Sequence, residues 1–151
     1  MNEMSSSQKP NIEHNVFYLL KELTKVLRIF QKDEVFCENI TFTQFCILDF
    51  VIKDNPLELS ILHSLLSVEK STTTRLVEPL VKEGLLEKIR SSRDSRAIQL
   101  RILEKGVTIH TEVWKCISGF ILNVTGQIPD EKKGAVMDTL ELFINAFKTC
   151  C

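Results

Sequence analysis

The chain has 151 residues, 44% hydrophobic and 26% charged, with a formal net charge of −1. That length is one domain, or a compact core with helical extensions, and excludes a large multidomain enzyme; the composition supports a buried core and excludes an acidic disordered tail or a repeat polymer. No apolar run reaches the roughly 18 residues of a membrane span, and residues 1–10 lack the basic-then-apolar pattern of a signal peptide, so a cytoplasmic protein with no membrane contact is expected.

The Ser-rich lead ends at Pro10, and a helix is predicted from about Asn11. Ile12, Val16, Leu19, Leu20, Leu23, Val26, Leu27 and Phe30 recur at helical spacing, with no Gly or Pro before about Phe36. One long helix of about 35 Å, at 1.5 Å per residue, is expected there. Thr41 and Gln44 form a capping-box signature ahead of Phe45, Leu48, Val51 and Ile52, and Asn55-Pro56 ends that second helix. Leu57 to Leu59 is long enough only for a short extended piece. A third helix is predicted over 60–66, a turn at Ser67-Val68, and a fourth helix over about 70–82 with Gly84 as its left-handed cap.

The period then shortens. Residues 85–89 and 97–103 read as strands, and the polar run from Arg90 to Arg96 between them makes a hairpin with a charged tip. Helical spacing resumes from Val107 to Val124, stops around Gly126 to Pro129, and returns from Val136 to Phe147. The order is helix, helix, extended piece, helix, helix, strand, strand, helix, helix. Two short helices joined by a tight turn are a helix-turn-helix, and a charged hairpin directly behind them has the place of a wing. The long terminal helices carry more apolar surface than so small a lobe can cover, so a second copy of the chain is expected to cover them.

Charge is unevenly spread. Between Lys70 and Arg101 the balance is +4, leaving −5 for the rest. On charge alone a solvated face and a phosphate-binding face are equally compatible with that segment. The fourth helix opens with Lys70, Ser71, Thr72, Thr73, Thr74 and Arg75: short hydroxyls that approach phosphates and base edges closely, with a cation at either end. An ordinary capped helix start would also be rich in hydroxyls. The hairpin decides for DNA, because Arg90, Arg93 and Arg96 sit on it, with Asp94 near enough to hold a guanidinium and Arg93 and Arg96 placed to enter a minor groove.

The run from Ser71 to Lys88, followed by Arg93-Asp94-Ser95-Arg96-Ala97 and Glu104-Lys105-Gly106, resembles the MarR family of winged-helix transcription regulators over about residues 41–106. The resemblance implies a mainly α fold with a small β-hairpin wing, a winged helix-turn-helix, in an intertwined homodimer held by N- and C-terminal helices. It implies that the fourth helix reads the major groove of a pseudo-palindromic double-stranded operator, that Arg96 is the minor-groove arginine and that Asp94 orients it. The organisation expected is a flexible lead over 1–10, a dimerisation helix over 11–40, the DNA-binding lobe over 41–103 and C-terminal dimerisation helices over 104–151. Ser67 stands where a turn Gly is common, and Glu69 and Leu103 stand where capping residues are common, so both following helices should be weakly capped. Pro79, inside the fourth helix, should bend it.

Nothing points to catalysis, a metal or a cofactor. His14, His63 and His110 have no partners at metal-ligand spacing, and the acidic and His clusters of zinc-sensing relatives are not reproduced, so surface or interface histidines are expected. No Gly-rich phosphate loop and no nucleophile–His–acid set is visible. The resemblance implies a small, partly apolar effector in a cleft between the dimer helices and the lobe, for which Phe17, Phe45, Ile47, Trp114 and Ile117 are the candidates, although such a stripe is also what a core looks like.

Five scattered Cys in a chain that is not exported argue for reduced thiols. Cys46 and Cys116 fall on apolar helical stretches and are expected buried and inert. Cys37 lies near Glu34 and Glu38, whose charge disfavours a thiolate. Cys150 and Cys151 are left as the exposed pair and the redox or soft-metal candidates. Peroxide-sensing relatives place a Cys near the start of the first helix, where residues 12–18 have none. The reading is a DNA-binding repressor, released by a small effector, that is not an enzyme. The alternatives are a thiol- or soft-metal-responsive regulator of the same fold, and a winged helix that binds protein.

Overall fold

The computed structural model describes residues 11–31 and 37–150, with Ile29 and Gln31 described in backbone only. The expected lead over 1–10, the last part of the expected first helix through Phe36, Glu34, and Cys151 lie outside the described residues.

The first helix is shorter than its apolar period suggests. Helix α1 spans Ile12–Val26, with Asn11 as N-cap accepting from the His14 N–H at 3.3 Å. The chain leaves the helix at Leu27, and a second piece, α2, spans Arg28–Gln31. Neither Gly nor Pro causes this break. The Phe30 N–H donates to Leu27 O at 2.9 Å, a tighter turn, and the Phe30 ring sits 4.9 Å from Phe42 and 5.7 Å from Phe120. Aromatic packing on two other helices outweighs helix continuation here, which local sequence does not reveal.

Helix α3 spans Phe42–Lys53 and carries the capping box: Gln44 N–H donates to Thr41 Oγ1 at 3.2 Å, and Gln44 Oε1 accepts from Thr41 N–H at 3.0 Å. Strand β1, Leu57–Glu58, leads into α4, Leu59–Leu66. Ser67 takes the left-handed conformation at φ 52°, and α5 then runs over Lys70–Lys82 without a break at Pro79. Neither Glu69 nor Leu103 makes a side-chain cap, as their chemistry suggests. Gly84, at φ +72°, turns the chain into β2, Leu86–Arg90, which pairs antiparallel with β3, Ile98–Ile102. The extended piece joins the wing: Leu57 pairs with Leu100 and Glu58 with Gln99, giving a three-stranded sheet of order β1-β3-β2. Helices α6, Glu104–Gly126, and α7, Asp130–Cys150, complete the chain. Among the described residues no helix is long and apolar enough to cross a membrane.

One core serves the lobe. Leu48 and Val51 of α3, Leu62 of α4, Val77 and Leu80 of α5, Leu86 and Leu100 of the sheet and Val113 and Ile117 of α6 are all buried together. By contrast α1 and α7 bury no residue completely, and Leu19 and Leu142 are 71% and 73% exposed. The strand–helix junction is tight. Leu103 N–H donates to Leu85 O at 3.0 Å, and a Cβ on Gly106 would lie 2.2 Å from that same carbonyl oxygen. Because the obstacle is backbone, Gly106→Ala should destabilise the chain by about 3 kcal/mol, the upper range of overpacking, measured as a fall in the urea midpoint at unchanged slope.

Candidate nucleic-acid interface

Helix α5 is two-faced. Thr73, Val77 and Leu80, at i, i+4 and i+7, are buried in the lobe, and Lys70, Ser71, Thr74, Arg75, Glu78, Pro79 and Lys82 are exposed on its other sides. Thr72 is half-buried and the Thr74 hydroxyl donates to Lys70 O at 3.1 Å while remaining exposed. Thr73 does not belong with the outward residues. It is 1% exposed, its hydroxyl donates to Glu69 O at 3.4 Å and meets His63 Nδ1 at 3.3 Å. The helical period turns its side chain toward α4, so the expectation that it touches DNA is corrected: Thr73 fixes α5 against α4.

The wing tip is a hydrogen-bonded turn. Ser91 N–H donates to Ala97 O, and Ala97 N–H donates to Asp94 O, both at 2.9 Å; the buried Ser91 hydroxyl accepts from Arg93 N–H at 3.2 Å. Asp94 works on backbone: its Oδ1 accepts from Arg96 N–H at 2.9 Å, and among the described residues no ion pair joins it to a wing guanidinium. It shapes the turn that presents Arg96 instead of gripping the guanidinium.

Ion pairing sorts the cations of this region. Lys88 pairs with Glu78 and Arg101 with Glu87, the latter at 3.0 Å. Lys70, Arg75, Lys82, Arg90, Arg93 and Arg96 make no side-chain ion pair among the described residues and are all exposed. Two anions thus cancel two cations, and the rest of the positive charge is left on the outer side of α5 and the wing. Lys70 and Thr74 of α5 share a groove of about 380 Å³ with Arg96 and Ile98 of the wing and Ser60 and His63 of α4. A convex helix and a flexible guanidinium beside one such groove can follow a polyanionic backbone and enter its grooves together.

The cleft candidates separate. Phe45 of α3 stacks on His110 of α6, with centroids 4.9 Å apart and planes 13° apart, and lies 6.4 Å from Trp114, which is 51% exposed. His110 Nε2 lies 3.1 Å from Asp49 Oδ1, and Lys53 Nζ donates to Asp49 Oδ2 at 2.6 Å. Burial works against ionisation of Asp49, but the hydrogen bonds from Lys53 and His110 outweigh it and hold the carboxyl below its usual range. Ile47 and Ile117 are plain core, and Phe17 is exposed on α1 beside Tyr18. No local motif marks Asp49 and His110 for this cleft; the contact between α3 and α6 makes them partners.

The cysteines also differ from expectation. Cys116 is exposed, not buried, and is joined to Cys37 in an intrachain disulfide with Cα atoms 6.8 Å apart. The expectation of free thiols throughout is corrected by this pair. Residues Glu38 and Asn39, both at positive φ, fold Cys37 back over Ile40 and toward α6. Cys46 is half-buried, and burial, reinforced by the charge of Asp49, pushes its thiol up. Cys150 is exposed at the end of α7.

A helix-turn-helix followed by a basic wing defines a winged-helix DNA-binding transcription regulator. The family model for the transcriptional regulator SarA/Rot matches residues 28–113, more than half of the chain. The chain belongs to the SarA/Rot family of transcriptional regulators, which are not enzymes, and its fold is that of the MarR-type regulators. It is 23% identical over 125 residues to the HTH-type transcriptional regulator BilQ of Clostridioides difficile (strain CD3), covering 83% of this chain and 84% of that one. A MarR transcriptional regulator from Methanosarcina mazei Go1 superposes with TM-score 0.73 at 21% identity, over 91% of this chain and 99% of that one. FabT of Streptococcus pneumoniae, solved in complex with DNA, has TM-score 0.73 at 18% identity, over 93% and 100%.

Thr73→Ala should lower stability by about 1 to 2 kcal/mol, the loss of a buried hydrogen-bonded hydroxyl, whereas Arg75→Ala should leave the melting temperature within about 1 °C of the parent. Thermal unfolding of the two variants distinguishes an internal Thr73 from an outward one.

Proposed function

We propose that the chain is a homodimeric, sequence-specific repressor that places α5 in the major groove and Arg96 in the minor groove of a pseudo-palindromic operator. The observation that carries this is the set of exposed cations on α5 and the wing that have no ion-pair partner among the described residues, while nearby Lys88 and Arg101 are neutralised. An unpaired cation is free to replace a phosphate counterion, so a chain with net charge −1 gains a local DNA-binding face. In this reading Lys70, Ser71, Thr72, Thr74 and Arg75 meet the major groove and Arg90, Arg93 and Arg96 the flanking backbone and minor groove, with Asp94 shaping the wing.

The dimer is supported by the apolar groove of Val16, Leu19, Leu20 and Leu23 of α1 against Leu140 and Phe143 of α7. Those faces are left open in a single chain, and a second copy covers them at once under two-fold symmetry. Residues 11–40 and 104–151 then serve as the dimerisation segments and 41–103 as the DNA-binding lobe. The effector is a small, partly apolar molecule taken up beside Phe45, His110 and Trp114, where aromatic faces and the His110–Asp49 pair meet between lobe and long helix. The protein acts on DNA in the cytoplasm.

Light scattering at micromolar concentration should give twice 17.3 kDa, and Leu140→Asp should return a folded monomer that no longer binds operator DNA. A parent that binds DNA as a monomer would refute the dimer. Arg96→Ala should weaken binding to all sequences alike and reduce the slope of log affinity against log salt by about 1, read by fluorescence anisotropy from low to high salt. An unchanged slope removes Arg96 from the interface.

A further inference from the structure

We propose that Glu78 reads a base of the operator, accepting from the major-groove amino group of one cytosine in each half-site, and that Lys88 is the positioning residue that holds it for this contact. The proposal rests on the DNA-binding reading above. Opposite the buried stripe of Thr73, Val77 and Leu80, helix α5 presents Ser71, Arg75, Glu78 and Lys82, at i, i+4, i+7 and i+11, all exposed. At 3.6 residues per turn these four fall within about 60° of one another, so a duplex that meets Arg75 and Lys82 also meets Glu78. Glu78 is the one anion on that line. Arg75 and Lys82 stand at i−3 and i+4 from it, the spacings at which ion pairs form along a helix, yet among the described residues neither pairs with it. Glu78 Oε1 accepts instead from Lys88 Nζ of β2.

That pairing has two effects. A bare carboxylate facing phosphates would repel them, and the ammonium cancels its charge. The lysine is also the more covered partner, its side chain 29% exposed against 57% for Glu78, so the cation holds the carboxylate from the lobe side and leaves it at the outer surface. Glu78 Oε2 has no hydrogen bond among the described residues. An ionised carboxylate only accepts, so what it can read is a donor. In the major groove guanine shows N7 and O6 and thymine shows O4, all acceptors, which repel it. Adenine sets its N6 amino group beside the acceptor N7, a pair that an amide matches and a carboxylate does not. Cytosine shows its N4 amino group with no acceptor beside it, and is the match.

The test uses the full-length protein and a pool of duplexes randomised over about 20 base pairs, roughly two helical turns, from which bound DNA is recovered and sequenced. The parent should enrich cytosine at one position in each half-site. Glu78→Ala should lose about tenfold of the preference at that position alone, within the range of a single base contact, and Glu78→Gln should turn the preference toward adenine, whose N6 and N7 suit an amide. Lys88→Met should lose most of the same preference and bind all duplexes more weakly, whereas Lys88→Arg should keep both; a merely structural lysine would not move the base preference. Each variant should melt within about 2 °C of the parent, because the pair is exposed. Identical base preferences in the parent and Glu78→Ala overturn the reading of a base by Glu78, and loss of preference at a pair other than cytosine with guanine overturns the choice of base. An unchanged preference in Lys88→Met overturns the role of Lys88. A parent that enriches no sequence overturns instead the sequence-specific DNA-binding reading on which the proposal rests.

Discussion

The architecture turns on the approach of Gly106 to the carbonyl of Leu85, where no side chain fits. At that one point α5 ends, β2 begins and α6 starts. Gly84 reverses the chain at φ +72°, Leu103 N–H reaches Leu85 O at 3.0 Å, and Lys105 Nζ donates to Glu83 O at 2.9 Å. Helix α5 and the long helix that leaves the lobe are thereby held in one junction. The start of α6 is fixed against the turn that follows α5 by backbone, with no side chain between Gly106 and the Leu85 carbonyl to absorb a shift.

Charge on the lobe follows the same division of labour. The carboxylates of Glu78 and Glu87 are occupied by Lys88 and Arg101, cations that lie on or beside the sheet. The cations further out have no such partner among the described residues and are exposed to solvent, so their charge is not spent on folding. Thr73 shows the inverse case. A hydroxyl in a hydroxyl-rich helix start was drawn into the protein because its position coincides with the buried stripe of Val77 and Leu80.

The seam between α3 and α6 brings aromatic, ionisable and sulfur-bearing side chains together. Phe45, His110 and Trp114 stack there, Asp49 bridges His110 and Lys53, and Cys37 meets Cys116 at its edge. The firm part of the lobe, from Leu48 to Leu100, is aliphatic.

Much was legible along the chain because the signals are local. The Thr41–Gln44 cap, the Gly84 turn, the period of α5, the switch to strand at Leu86 and the polar tip between Arg90 and Arg96 each depend on residues a few positions apart, and the helix-turn-helix with its wing follows from their order. The MarR-like motif from Ser71 to Gly106 made the DNA-binding reading specific. What only the tertiary structure decided depends on contacts between distant residues: the break at Leu27 enforced by Phe30 on Phe42 and Phe120, the pairing of Leu57 with Leu100, the inward turn of Thr73 against His63, the His110–Asp49 pair and the meeting of Cys37 with Cys116. Local sequence sets which face of each element is apolar. It does not set the rotation and offset at which two such faces meet, because that is chosen by the packing of all of them at once.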